Sequence, residues 1–176
     1  MAGLGAGPGM IGFDGRQLRV LLVEDNEHFR RLIRTVLQAL GITRVTEATD
    51  GGAGLAALGG GAEVDLVIVD YRMQPMDGVE FTRRLRTDPA SANPYVPVLM
   101  VTGYTEPRLV AEARDAGVNE FLAKPISAKT LLSRIVQLIQ TPRPFVSTEG
   151  YFGPDRRRRA VPFPHVERRR SSLPEV

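Results

Sequence analysis

The sequence contains no cysteine and only two histidines, His28 and His165. The lack of cysteine excludes a disulfide framework and thiolate metal sites, and it fits a reducing compartment, so a cytoplasmic location is expected. No apolar run approaches the length of a membrane span, so membrane insertion is not expected. The first fifteen residues, MAGLGAGPGMIGFDG, have neither the cationic start nor the apolar core of a signal peptide. His28 lies opposite the apolar stripe of the first helical pattern, which reads as a surface position rather than a phosphodonor. An excess of one charge is also missing from most of the chain. Residues 17–140 carry fourteen basic and fifteen acidic residues, whereas residues 141–176 carry eight arginines and four acids. The overall net charge of +3 therefore belongs to the C-terminal tail, and only the tail raises the question of an anionic partner.

What is present is a regular alternation of apolar strands and amphipathic helices. Strand patterns cover Leu18 to Val23, Thr43 to Ala48, Val64 to Val69, Pro97 to Val101 and Val118 to Ala123. Between them, Phe29, Leu32, Ile33, Val36, Leu37 and Leu40 recur at helical spacing behind the cap residue Asn26. A glycine-rich helix of low intrinsic stability spans Asp50 to Gly61, and further helices lie around Val79 to Arg86, Leu109 to Ala113 and Leu131 to Ile139. Five strands alternating with helices predict an α/β fold: a flavodoxin-like, doubly wound (βα)5 unit with a parallel sheet in the order 2-1-3-4-5. The expected organisation is a Gly-rich leader over 1–16, the folded unit over 17–140 and an unfolded Pro- and Arg-rich tail over 141–176.

In that order strands one and three are neighbours, so Glu24 and Asp25 at the end of one meet Asp70 at the end of the other. A lone Asp70 reads equally as a helix cap, but three carboxylates at one rim repel one another unless a hard cation sits among them. Oxygen donors without His or Cys favour Mg2+ or Mn2+. Strand four brings the hydroxyl of Thr102 to the same rim, and strand five brings the ammonium of Lys124. Such a set suits a phosphoryl group, with Asp70 as nucleophile forming an aspartyl phosphate.

The separated motifs VEDN, VDYRMQPMDG, VTG and FLAKP resemble those of the receiver domain of bacterial two-component response regulators, the CheY-like family, over Leu18 to Gln140. The resemblance implies that Asp70 is the phosphoacceptor and that Glu24, Asp25, Asp70 and the backbone carbonyl of Arg72 hold Mg2+. It makes Thr102 the switch hydroxyl, Lys124 the partner of the phosphoryl oxygens, and Phe121 the aromatic whose rotation reports the state. It also implies a cis peptide at Lys124-Pro125. The partners it implies are a sensor histidine kinase or phosphotransfer protein and a downstream protein target. Two departures stand out: Gln74 intervenes between Met73 and Pro75, and Phe121 stands where many relatives carry Tyr. Arg72 and Tyr104, each two residues past a site residue, are expected to overhang the pocket and modulate access to it.

An enzyme of the haloacid dehalogenase type also uses a strand-end Asp with Mg2+. It generally needs a second acid two positions later, where this chain has Arg72, so a non-enzymatic phosphoacceptor is expected. In the tail, FGPDRRR and FPHVERRR form two loose copies of one pattern. They nominate Phe152, Arg156 and Arg157, and then Phe163, Arg168 and Arg169, as a bivalent docking motif for an acidic protein, for the receiver itself or, alternatively, for nucleic acid.

Overall fold

In the computed structural model, which describes residues 14–157 except 105, strands β1 (Arg19–Val23), β2 (Arg44–Ala48), β3 (Leu66–Asp70), β4 (Val98–Thr102) and β5 (Glu120–Ala123) form one parallel sheet. Helices α1 (Glu27–Ala39), α2 (Gly51–Gly59), α3 (Gly78–Thr87), α4 (Pro107–Asp115) and α5 (Ala128–Gln140) follow them in turn. The sheet order is β2-β1-β3-β4-β5, as the strand patterns predict. β1 and β3 pair in the register Val20 to Leu66 and Val23 to Val69. That register sets Glu24 and Asp25, just past the end of β1, beside Asp70, the last residue of β3.

Strand side chains alternate between two faces, and each face has its own core. One joins Leu21, Val23, Val67, Val69 and Met100 to Phe81 and Leu85 of α3 and Ala113 of α4. The other joins Leu22, Ile68, Leu99 and Val101 to Ile33 and Leu37 of α1 and Leu131 and Ile135 of α5. Every residue of β3 and β4 is buried, which explains their unbroken apolar runs. Burying each large aliphatic side chain contributes about 1.5–3 kcal/mol. The two cores together hold the carboxyl ends of the strands in fixed register.

The connections are set by side-chain caps. Asn26 accepts from the Phe29 N–H at 3.1 Å, Asp50 from Ala53 at 2.9 Å and Asp77 from Glu80 at 2.8 Å, each satisfying a donor that its helix leaves free. Ser127 and Thr130 cap α5 reciprocally. The glycines of α2 have a packing role: a Cβ on Gly54 would lie 3.0 Å from both the Phe81 and Val23 side chains, so α2 rides close on the sheet. In α1 the apolar stripe narrows. Ile33 and Leu37 are buried, but Leu32 remains 39% exposed, one step outside the covered face.

The structure corrects the expected boundaries at both ends. Gly15–Gln17 forms a 3-10 turn capped by Asp14, with Gly15 buried, so the folded unit begins inside the proposed leader. At the other end, β6 (Phe145–Thr148) and β7 (Tyr151–Pro154) pair as an antiparallel hairpin within the segment expected to be unfolded. Aromatic contacts, which proline and arginine content conceals, provide the reason. Phe145 and Phe152 lie 5.2 and 5.1 Å from the Tyr95 ring and 5.6 Å from each other. Phe152 thus finds its pocket within the chain. Arg156 stacks on Tyr151 at 3.6 Å and pairs with Asp115 at the end of α4, and Arg143 pairs with Glu120 at 2.6 Å. Arg157 is exposed, its backbone N–H donating to Asp155; Phe163, Arg168 and Arg169 lie outside the described residues.

Beneath the hairpin lies Arg86, a last-turn residue of α3 that the helical pattern gave no reason to bury. Its guanidinium donates to the carbonyls of Pro94, Val96 and Gly117 and to Asn119 Oδ1, with the Phe145 ring 5.0 Å away. Burial pushes its pKa down to about 10, and neutral acceptors rather than a carboxylate satisfy it. The hairpin shields this polar cluster. Phe152→Ala is therefore expected to lower unfolding stability by about 2 kcal/mol, read from urea denaturation. An unchanged midpoint would show that the hairpin is not part of the folded unit.

Candidate functional site

Asp70 ends a fully buried strand, and the residue is 6% exposed, at a cleft that its side chain helps to line. One oxygen, Oδ2, accepts from the Arg72 N–H at 2.9 Å, and Oδ1 lies 2.7 Å from Lys124 Nζ. The loop after Asp70 folds back sharply, with the Gly78 N–H donating to the Tyr71 carbonyl at 3.0 Å. A Cβ on Gly78 would run into the Asp70 carbonyl oxygen, so glycine is required where α3 begins.

The two acids that follow β1 differ in setting. Glu24 is buried, with Oε1 accepting from the Asn26 N–H at 3.1 Å and Oε2 from Lys124 Nζ at 3.2 Å. Asp25 is exposed and accepts from the Gln74 N–H at 3.3 Å, so the residue that departs from the family pattern is tied into the rim. Each of Glu24, Asp25 and Asp70 offers a carboxylate oxygen within 4.8 Å of the others. Burial, and then the neighbouring Asp70 charge, raise the Glu24 pKa above its ordinary value. Burial alone would lower the Lys124 pKa, but its contacts with Asp70 and Glu24 prevail and hold it above the usual lysine value. Three hard oxygen donors with a residual excess of negative charge fit a divalent cation such as Mg2+.

Lys124 reaches the rim from the end of β5, and the Lys124-Pro125 peptide is cis, as is Gln74-Pro75. Thr102 ends β4 at the same rim, but its hydroxyl is engaged elsewhere. It accepts from the Tyr104 N–H at 2.9 Å and donates to the Tyr104 carbonyl at 3.0 Å, with no hydrogen bond to Asp70. Phe121 is half-buried against the core under α4. Arg72 and Tyr104, expected to overhang the pocket, both line the cleft and touch each other, the guanidinium carbon 4.1 Å from the ring centroid. The structure thus brings together Glu24, Asp25, Asp70, Arg72, Tyr104 and Lys124. It adds Phe29, read from the sequence only as part of an apolar stripe, whose ring lies under the Lys124 ammonium.

The cleft above Asp70 has a volume of about 430 Å3. A larger one, about 920 Å3, lies at the amino ends of β1, β3 and β4, where the Arg19–Asp65 ion pair is held at 2.8 Å. Its Asp14, Arg19 and Asp65 are ion-paired, whereas the smaller cleft gathers three acids around one lysine. The smaller cleft is the candidate site.

A doubly wound sheet with an acid cluster at the carboxyl ends of adjacent central strands, and a lysine one strand beyond, defines a receiver module. Residues 20–136 match the model of the response regulator receiver domain, and the chain belongs to that family. It is 34% identical over 123 residues to the chemotaxis protein CheY of Pseudomonas aeruginosa, covering 70% of this chain and 97% of that one. It is 31% identical over 125 residues to the chemotaxis protein CheY-3 of Vibrio cholerae, covering 71% and 94%. Among solved structures, CheY4 of Vibrio cholerae superposes with a TM-score of 0.61 at 32% identity, covering 68% of this chain and 97% of that one. Receiver domains typically bind Mg2+ in an acidic pocket, and the cluster of Glu24, Asp25 and Asp70 is the counterpart here. The hairpin over 145–154 lies beyond the matched residues. Among the described residues, no helix is long and apolar enough to cross a membrane.

The raised pKa of Glu24 gives a signed expectation. A carboxyl with a folded pKa above its unfolded value contributes stability below the unfolded pKa and loses that contribution as pH rises through the folded one. Without divalent cations, Glu24→Gln is therefore expected to be more stabilising, relative to the parent, near neutral pH than below the ordinary glutamate range. Urea unfolding in chelator at the two pH values measures this. A gain that shrinks towards neutral pH would contradict the assigned burial of a charged Glu24.

Proposed function

We propose that this protein is a cytoplasmic response regulator that takes a phosphoryl group from a sensor histidine kinase or phosphotransfer protein onto Asp70. It then signals by changing its protein-binding surface to a downstream target. The observation that carries the reading is the 2.7 Å contact between Lys124 Nζ and the Asp70 carboxylate inside a cluster of three acids. A nucleophile so held is oriented, and the cation beside it is available to the oxygens of an incoming phosphoryl group.

In the transfer, an Asp70 carboxylate oxygen attacks phosphorus and the P–N bond of the donor phosphohistidine breaks. The bond electrons return to the ring, which leaves as neutral imidazole when its second nitrogen carries a proton. Glu24, Asp25, Asp70 and the backbone carbonyl of Arg72 would hold Mg2+, which would supply positive charge against the phosphoryl oxygens. Lys124 neutralises a further oxygen. Arg72 and Tyr104, stacked over the cleft, restrict the approach of water and so lengthen the life of the acyl phosphate. The protein is a stoichiometric acceptor in this reading and turns over no substrate of its own.

The signal arises because the Thr102 hydroxyl exchanges its bonds to the Tyr104 backbone for the new phosphoryl oxygens. The β4–α4 connection follows, and Phe121 rotates into the space released. α4 is suited to move: it begins at Pro107 with no side-chain cap hydrogen bond from Glu106, unlike α1, α2, α3 and α5. Of the tail residues nominated for nucleic acid or an acidic partner, Phe152 and Arg156 are engaged within the chain, while Phe163, Arg168 and Arg169 lie outside the described residues.

Incubation with acetyl phosphate and Mg2+ should add one phosphoryl group to the parent, hydroxylamine-labile and located by mass spectrometry at Asp70. Asp70→Asn should remain unmodified. Equal labelling of that variant, or labelling that persists in chelator, would remove the reading.

A further inference from the structure

The third neighbour of the Lys124 ammonium is not a carboxylate. Nζ lies 2.7 Å from Asp70 Oδ1, 3.2 Å from Glu24 Oε2 and 4.1 Å from the centroid of the Phe29 ring. The lysine side chain is only 17% exposed, so the ring replaces water over much of its remaining surface. An ammonium over the negative face of an aromatic ring is attracted to it, more strongly when both are partly desolvated.

Phe29 is held there by the same turn that holds Glu24. The Asn26 N–H donates to Glu24 Oε1 at 3.1 Å, and the Asn26 side chain accepts from the Phe29 N–H, also at 3.1 Å. The run Glu24-Asp25-Asn26-Glu27-His28-Phe29 is thus one structural unit, delivering a carboxylate to one side of the ammonium and a ring to another. His28 lies edge-on to Phe29, centroids 6.0 Å apart.

We propose that Phe29 is a positioning residue for phosphotransfer: its ring face confines the Lys124 ammonium above the cleft, where it meets the phosphoryl oxygens. The proposal rests on the reading of Asp70 as phosphoacceptor. Two carboxylates alone would let the ammonium follow whichever is the more negative, and a cation bound among the acids would repel it. The ring exerts an attraction that a bound cation does not cancel, because it acts from the α1 side. Lys124 therefore remains in reach of the new phosphoryl group when the acids are occupied.

Phe29→Leu keeps apolar bulk and removes the π face, whereas Phe29→Tyr retains it. In the full-length protein, the phosphorylation rate at saturating acetyl phosphate should fall about five-fold in Phe29→Leu and stay within about two-fold of the parent in Phe29→Tyr, a size in keeping with an ammonium–ring attraction. Mg2+ affinity, followed by titration, should be unchanged in both. The decisive measurement is the double-mutant cycle with Lys124→Met, in which Phe29→Leu should have no further effect on the rate. An equal fall in both lysine backgrounds, or a parent-like rate for Phe29→Leu, would overturn the proposal while Asp70 labelling in the parent stands. Should Phe29→Leu fail to fold, Phe29→Met enters the same cycle with the same expected outcome. If the parent itself is not labelled at Asp70, the phosphoacceptor reading fails and the positioning role fails with it.

Discussion

The ammonium of Lys124, held between Asp70 and Glu24, is the contact on which the site depends. Burial of Glu24, and then its repulsion by Asp70, raise the Glu24 pKa, and that rise marks the cost of placing two buried carboxylates side by side. A single lysine offsets part of the repulsion but leaves an excess of negative charge, so the rim attracts cationic and electrophilic species. The fold makes this tolerable. β1 and β3 are locked by the cores on both faces of the sheet, so the acids cannot relax apart without disturbing buried packing. Stability in the cores thus sustains an unfavourable arrangement at the edge.

The same partition explains how a small event at the rim could be read elsewhere. Thr102 ends the fully buried β4 and Phe121 lies in the less buried β5, and α4 between them is the one helix of the five that follow the sheet strands without a side-chain cap hydrogen bond. The hairpin of β6 and β7 joins this region from below, through Arg156 to Asp115 and Arg143 to Glu120. Of these, the exposed Arg156–Asp115 pair contributes little, whereas the Arg143–Glu120 pair is partly buried. The hairpin is attached further by the aromatic contacts with Tyr95 and by Phe145 over the buried Arg86.

Much of the site was legible because its residues stand at strand ends, where sequence patterns fix both position and direction. An apolar run that stops on Asp70, or on Glu24 and Asp25, needs only the strand order to become a cluster. Lys124 and Thr102 were legible for the same reason. Features that depend on distant side chains were not. Arg86 reads as an ordinary basic residue in the last turn of a helix, and only the carbonyls of Pro94, Val96 and Gly117 turn it inward. The hairpin was hidden because Phe145 and Phe152 have no local periodicity; their partner is Tyr95, some fifty residues earlier. Phe29 fitted an apolar stripe, and its position three residues past the cap Asn26 was the available signal that its ring faces the rim.

The central claim is that Asp70 receives the phosphoryl group and that Lys124 and Thr102 respond to it. A crystal structure of the full chain with Mg2+ and beryllofluoride tests this most directly. The account predicts beryllium on the Asp70 carboxylate, Lys124 Nζ on one fluorine, and the Thr102 hydroxyl moved from the Tyr104 backbone to another. Beryllium on a different carboxylate, or a Thr102 hydroxyl still bonded to Tyr104 beside an occupied Asp70, would contradict it.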